Sequence, residues 1–248
     1  SLLLAGFALT LPNCPCKPKG EGSQSFADAT GLSAFKLFKN GQFAVFFIFS
    51  MLLGASLQIT TGYANPFINS FASNPEFAHT WGANNANVII SIGQISETVC
   101  ILLIPFFMKK FGIKKVMLLS MFAWVFRFGL FGLGNPGSGV WLFILSGLVY
   151  GVAFDFFNVS GSLYVNENTD SGIRSSAQGL FMLMTNGLGA TIGTLVAGKV
   201  INALVYQPQA IEGPSAGNWQ LAWFIFAGYA LVVGILFAIL FKDPQKKA

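Results

Sequence analysis

The amino-acid sequence predicts an all-α integral membrane protein with six transmembrane helices. Hydrophobic residues make up 54% of the 248 residues and charged residues only 9%, whereas soluble domains carry about 25% charged residues. The chain contains six apolar spans, and each is long enough to cross a bilayer as a helix, which needs about 20 residues. Because a soluble fold of this composition would have almost no polar surface, lipid is expected to cover most of its exterior.

The spans are preceded by two segments of different character. Residues 1–12 hold an apolar run that is too short to cross a membrane, and we interpret it as the end of a severed transmembrane helix. Residues 13–41 are rich in Pro and Lys and are interpreted as a cytoplasmic loop ending in a short amphipathic turn. The six-helix domain is predicted at 42–241, and residues 242–248 form a cytoplasmic tail. Its spans are placed at 42–65, 86–108, 113–133, 140–165, 175–204 and 219–241.

Positive charge alternates between successive loops and indicates the orientation in the membrane. Lysines lie in the early polar segment, between residues 109 and 115, and in the tail, while Arg174 precedes the fifth span. Lys and Arg are enriched in cytoplasmic loops. These segments are therefore predicted to be cytoplasmic, and we find no basic face of the kind that binds nucleic acid. The predicted outward loops, which contain neither Lys nor Arg, are 66–85, 134–139 and 205–218.

No cofactor or metal site is predicted. Cys14 and Cys16 lie in the cytoplasmic segment, where thiols stay reduced, and no second pair of Cys or His residues accompanies them. Cys100 falls inside a span, and the single histidine, His79, falls in an outer loop. A glycine-rich phosphate loop and a nucleophile with a nearby base are also missing from the pattern. We therefore expect a non-enzymatic protein whose transport, if any, uses an ion gradient or is passive.

The fourth span carries an acid in the middle of an apolar run, YGVAFDFFN. A carboxylate at the bilayer centre costs ~2.5 to 3.5 kcal/mol even on lenient scales, so Asp155 is a candidate functional residue facing a protein interior or a wet cavity. The alternative is a protonated acid that bonds a neighbouring helix. Tyr150 and Phe154 are four residues apart, and Asn158 follows at the same spacing. This arrangement indicates a site that sandwiches a flat ring while hydrogen-bonding hydroxyls, or else aromatic residues of the core or lipid face.

The first and second spans each hold a polar pair at a spacing of three residues. Gln58 and Thr61 share one helix face, as do Gln94 and Glu97. The amides are predicted to bind a polar, uncharged ligand, with a bond between helices as the alternative for Gln58. A carboxyl group in a low-dielectric setting binds a proton more readily than in water, so Glu97 is predicted to couple transport to protons. Its alternative is a buried pair with Arg127 in the third span.

A short match between the first and fourth spans predicts an inverted repeat of three helices. Gly54 lies four residues before Gln58, and Gly151 lies four residues before Asp155. Three successive crossings separate the two positions, so the two copies run in opposite directions. Inverted repeats with a binding site near the midplane are characteristic of secondary transporters.

Several stretches resemble the nucleoside:proton symporter family of the major facilitator superfamily. They include FFIFSMLLGASLQIT, SIGQISETVCILLIPFF, AWVFRFGLFG, VYGVAFDFFNVSGSLYV and IRSSAQGLFMLMTNG, and together they extend from Phe35 to Tyr229. The resemblance implies the C-terminal half of a twelve-helix protein, with residues 13–41 as its central loop. An N-terminal half of six helices would then supply the other wall of the site.

The resemblance also implies a function and a set of site residues. It implies proton-coupled import of nucleosides across the bacterial inner membrane by alternating access, with Glu97 and Asp155 serving the proton. The family's binding positions fall on Gln58, Gln94, Glu97, Tyr150, Phe154 and Asp155. Where the family has asparagine three residues after the first glutamine, this chain has Thr61, a departure that bears on ribose or base selectivity.

Two other functions remain open from the sequence. A symporter of sugars or other polyhydroxylated solutes would use the same acids and amides, but it would not need Tyr150 and Phe154 to stack. A membrane receptor or scaffold would keep its function when both acids are neutralised, whereas a symporter would lose accumulation driven by a gradient.

Overall fold

The computed structural model describes residues 6–12, 31–206 and 218–242. All regular secondary structure within them is helical, and six helices are long and apolar enough to cross a membrane. The predicted all-α membrane fold is therefore confirmed. In chain order the helices are α1 (Gly41–Ser70), α2 (Ala86–Phe111), α3 (Ile113–Leu133), α4 (Val140–Asn168), α5 (Arg174–Tyr206) and α6 (Trp219–Leu240). Cys14, Cys16 and residues 243–248 lie outside the described parts.

The end of α1 differs from the prediction. The sequence places it at residue 65, before a proline, but the helix continues through Pro66 to Ser70. Proline is tolerated in membrane helices when neighbouring groups hold the backbone in place. Here the Asn69 amide donates to Asn65, and the Asn65 amide donates to the Asn87 side-chain oxygen of α2 at 2.6 Å. The last residue of the predicted span, Asn65, therefore joins α1 to α2, and Asn69 of the extra turn supports it.

Short capping motifs begin and separate the helices. A 3-10 helix at Leu32–Lys39 occupies the predicted amphipathic turn. The Asn40 side chain then accepts a hydrogen bond from the backbone N–H of Gln42 and starts α1. Gly112, with φ of 77°, is the single residue between α2 and α3, and its conformation is one that glycine adopts without strain. These junctions keep neighbouring spans in contact.

Helix packing agrees with the predicted repeat. Helix α1 packs along α5, α4 packs along α2, and α3 contacts both α4 and α6. A Cβ atom added at Gly54 of α1 would overlap the Thr185 carbonyl group of α5. A Cβ atom added at Gly151 of α4 would lie 2.6 Å from the Ser96 carbonyl oxygen of α2. The two glycines matched in sequence thus occupy matching positions, each where two backbones approach closely.

Within the main hydrophobic core, aromatic side chains form two groups of ring contacts. One group joins the end of α1 to the start of α6, and the other joins the start of α1 to the end of α6. The first contains Phe67, Phe131, Phe143 and Trp223. The second contains Phe46, Phe157, Phe181 and Phe237. Arg127 and Asp155, which lie near the middles of α3 and α4, are also buried. The apolar ends therefore leave a polar layer in the middle of the bundle.

Candidate functional site

Three predicted site residues form one stripe along α4. The Tyr150 and Phe154 rings stack with centroids 5.9 Å apart and planes inclined by 9°, as their spacing predicts. The Asn158 amide donates to the Phe154 carbonyl oxygen at 3.2 Å. A third ring between two parallel rings would need about 7 Å, twice the ~3.5 Å contact distance. A flat ligand would therefore stack on Phe154 from outside the pair.

Arg127 anchors the Tyr150 end of this stripe. Its guanidinium carbon lies 4.3 Å from the Tyr150 ring centroid, which is a favourable cation–π distance. Its Nη1 donates to the Ser146 carbonyl oxygen of α4 at 2.6 Å, and its Nε donates to the Thr60 hydroxyl of α1 at 3.4 Å. The Ser146 hydroxyl in turn donates a hydrogen bond to the Arg127 carbonyl oxygen. Arg127 thus joins α1, α3 and α4, which favours a structural role for this residue over contact with a ligand.

Asp155 lies beside the stripe, and Glu97 faces it from α2. Asp155 is only 6% exposed, and its Oδ2 atom is buried without a hydrogen-bond partner among the described residues. The half-buried Glu97 carboxyl group neighbours the Tyr150 hydroxyl. Burial of an ionised, unpaired carboxylate is strongly unfavourable. An ionised Asp155 is therefore costly in this arrangement, whereas a protonated Asp155 is much less so.

Two serines that the sequence analysis missed position these acids. The Ser96 hydroxyl donates to the Leu148 carbonyl oxygen, which fixes α2, and with it the adjacent Glu97, against α4. The Ser120 hydroxyl of α3 donates to the Ala153 carbonyl oxygen on the other side of α4. Serine is frequent in all membrane helices and carries no local signal, so only the packing reveals this role.

The remaining predicted residues lie apart from these contacts. Gln58 is half-buried, and Thr61 and Gln94 are exposed on the surface of the described chain. The Thr61 hydroxyl donates to the Leu57 carbonyl oxygen of its own helix at 3.0 Å. Within the described ranges, no hydrogen bond joins these three side chains to either acid. Polar groups at this depth are expected to face protein or water rather than lipid.

A recess opens beside the stripe, between α1, α3, α4 and α5. Phe154 and Asn158 line it on α4, and Trp124, Leu57 and Asn186 line other walls. Trp124 and Asn186 were not predicted from the sequence. Asn186 had a usable signal, because an amide near the middle of an apolar span is as unusual as Gln58. The recess places an aromatic face and two amides around one small space.

The chain shows clear similarity to known transporters. A family model described as nucleoside H+ symporter matches residues 1–246. The chain belongs to the nucleoside H+ symporter family. Xanthosine permease of Escherichia coli (strain K12) is 48% identical over 250 residues, covering 99% of this chain and 58% of that protein. Nucleoside permease NupG of the same organism is 49% identical over 243 residues, covering 98% and 56%. These members are permeases, which confirms the non-enzymatic assignment.

Solved structures share the fold of this symporter-family chain. The crystal structure of nucleoside transporter NupG superposes with a TM-score of 0.78 at 48% identity and covers 97% of this chain. An aspartate-to-alanine variant of that transporter gives a TM-score of 0.83 at 47% identity. The chain spans 58% of the length of either crystallised chain.

Proposed function

We propose that this chain is part of a permease that carries nucleosides across the bacterial inner membrane together with protons. The single observation that supports this most is the buried Asp155, which directly follows Phe154 of the aromatic and amide stripe and whose Oδ2 atom has no hydrogen-bond partner among the described residues. In a member of the nucleoside H+ symporter family, this arrangement joins a proton-binding group to a surface suited to a flat, polar ligand.

The proposed protein includes an N-terminal half of six helices. Relatives are longer than this chain, and Thr61 and Gln94 are polar side chains exposed on membrane helices. A second half would cover them and form the opposite wall of a midplane site. The distribution of lysines supports a cytoplasmic central loop and a cytoplasmic C-terminus.

In this proposal each site residue has a distinct role. Phe154 stacks on the nucleobase, while Tyr150 holds Phe154 in place. Glu97 or Asp155 takes up a proton from outside before the nucleoside binds, and release of that proton inside frees the nucleoside. Protonation neutralises the acid and so lowers the free-energy cost of burying it when the site closes around the nucleoside. Closure with nucleoside bound therefore requires the proton, which couples the two. The side chains that bond the nucleoside are Gln58, Thr61, Gln94 and Asn158.

The test is uridine uptake into proteoliposomes containing the full-length permease, with and without an inward proton gradient. We expect accumulation only with the gradient, and its loss in Glu97→Gln or Asp155→Asn. Glu76→Gln is the matched control, because Glu76 is an exposed acid in the loop after α1. Uptake without any need for a gradient would contradict proton coupling. Absence of uridine uptake under every condition would contradict nucleoside transport and direct the search to sugars.

A further inference from the structure

Asn186 has an unusual setting near the middle of α5. It lies within a π-helical turn, Leu183–Gly189, and such turns are rare and often found at functional sites. Its side chain is exposed, and among the described residues its amide nitrogen donates a hydrogen bond to the Met182 sulfur at 3.9 Å. A thioether is a weak acceptor. The amide therefore keeps nearly all of its bonding capacity at a depth where lipid offers no partner.

The residues around Asn186 indicate which ligand group its amide could bind. Asn186 lines the same recess as Phe154 and Asn158, whose walls are completed by apolar side chains such as Leu57 and Trp124. Carboxamides have two donors and an acceptor and match the edge of a nucleobase, which presents donors and acceptors in its plane. An aromatic face with amides around it thus suits the base of a nucleoside better than its sugar.

We propose that Asn186 is a specificity-determining residue that hydrogen-bonds the edge of the nucleobase while Phe154 stacks on its face. The inference rests on the proposed nucleoside transport and deepens it. Gln94 and Glu97 lie on α2, outside the recess, where they are free to bond the ribose and serve the proton. The site is thereby divided into a base end between α4 and α5 and a polar end at α2.

The test compares KM values of the full-length permease in proteoliposomes for uridine, inosine and 2′-deoxyuridine. In Asn186→Ala we expect KM to rise about tenfold for uridine, which is about 1.4 kcal/mol and the size of one hydrogen bond. We expect the ratio of the inosine KM to the uridine KM to change about fivefold or more. The ratio of the 2′-deoxyuridine KM to the uridine KM, the kcat and the dependence on the proton gradient should stay the same.

Asn202→Ala is the matched control, because Asn202 is an exposed asparagine in the second π-helical turn of α5, Asn202–Tyr206, and does not line the recess. If the Asn186→Ala permease does not reach the membrane, Asn186→Ser is measured in its place. Values for Asn186 variants that equal those of Asn202→Ala would overturn the inference. So would a change in the deoxyribose ratio with an unchanged base ratio. A wild-type permease without nucleoside uptake would instead remove the proposed function itself, and this inference with it.

Discussion

The close crossing of α1 and α5 at Gly54 gives the most direct test of the structure. A Cβ atom at this position would overlap the Thr185 carbonyl oxygen and lie 2.9 Å from the Thr185 Cα atom. Carbon atoms in ordinary contact are about 3.5 to 4.0 Å apart. The obstructing atoms belong to the backbone and cannot rotate away. Gly54→Ala must therefore push the two helices apart by roughly 1 Å.

The expected cost follows from two opposing contributions. Overpacking costs about 1 to 3 kcal/mol, and overlap with backbone places Gly54→Ala at the upper end. Alanine favours the helix by about 1 kcal/mol over glycine, which leaves a net loss of roughly 2 kcal/mol in the free energy of unfolding. The entropy of unfolding grows with chain length, and this chain covers 58% of its crystallised relatives, so in the full-length protein about 1 °C per kcal/mol is expected and Tm should fall by about 2 °C. Gly228→Ala is the control, because no atom lies within 4 Å of a Cβ there, so its Tm should stay level or rise.

The assay heats the detergent-solubilised full-length permease to a series of temperatures. Size-exclusion chromatography then measures the fraction that stays folded at each temperature, which gives Tm. Gly151→Ala should lower Tm by a similar amount, because its Cβ would meet the Ser96 backbone in the matching crossing of α4 and α2. Equal Tm values for Gly54→Ala and Gly228→Ala would refute the close crossing. A fall for Gly54→Ala alone would refute the equivalence of the two glycines.

Three further substitutions test the polar layer and the stripe. Arg127→Leu removes the guanidinium hydrogen bonds to the Ser146 carbonyl oxygen and the Thr60 hydroxyl, so the free energy of unfolding should fall by about 1 to 3 kcal/mol in thermal unfolding, and an unchanged Tm would contradict the structural role. Phe154→Ala should raise the nucleoside KM about 5-fold to 150-fold in uptake assays through lost stacking of about 1 to 3 kcal/mol, whereas Phe154→Tyr should stay near wild type. Tyr229→Phe removes a bond to the Leu52 carbonyl oxygen and should cost about 0.5 to 1.5 kcal/mol of stability without changing KM, so an altered KM would place Tyr229 in the site.

The helices were predictable because hydrophobic length is a local property of the sequence. The sixth span was predicted at 219–241 and is observed at Trp219–Leu240. The end of α1 was not predictable from Pro66 alone, since the bond that secures it comes from Asn87 on another helix. Local rules therefore give the existence of a span more reliably than its end.

The candidate site was predictable only in part, for the same reason. Asp155 and the stacked pair of Tyr150 and Phe154 follow from charge in an apolar run and from spacing along one helix. The partners of Arg127 depend on which helices meet, and nothing near it in the chain specifies them. The amide of Asn186 in an apolar span was visible in the sequence, but its position beside Phe154 and Asn158 depends on the recess that α5 shares with α4.

The repeat explains why polar groups concentrate at the middle of this bundle. Each matched glycine lies one helical turn before a polar residue, Gln58 in α1 and Asp155 in α4. Because glycine lets a neighbouring backbone approach, the crossing beside it fixes the direction of the helix face that carries the polar group. The first copy carries an amide at this position and the second an acid, so the same packing yields two different chemical groups. The two copies also differ in their backbones, because α5 contains the π-helical turns Leu183–Gly189 and Asn202–Tyr206 whereas the matching helix α2 is α-helical throughout. The asymmetry of the site therefore arises both from the side chains at the matched positions and from the local form of the second helix in each copy.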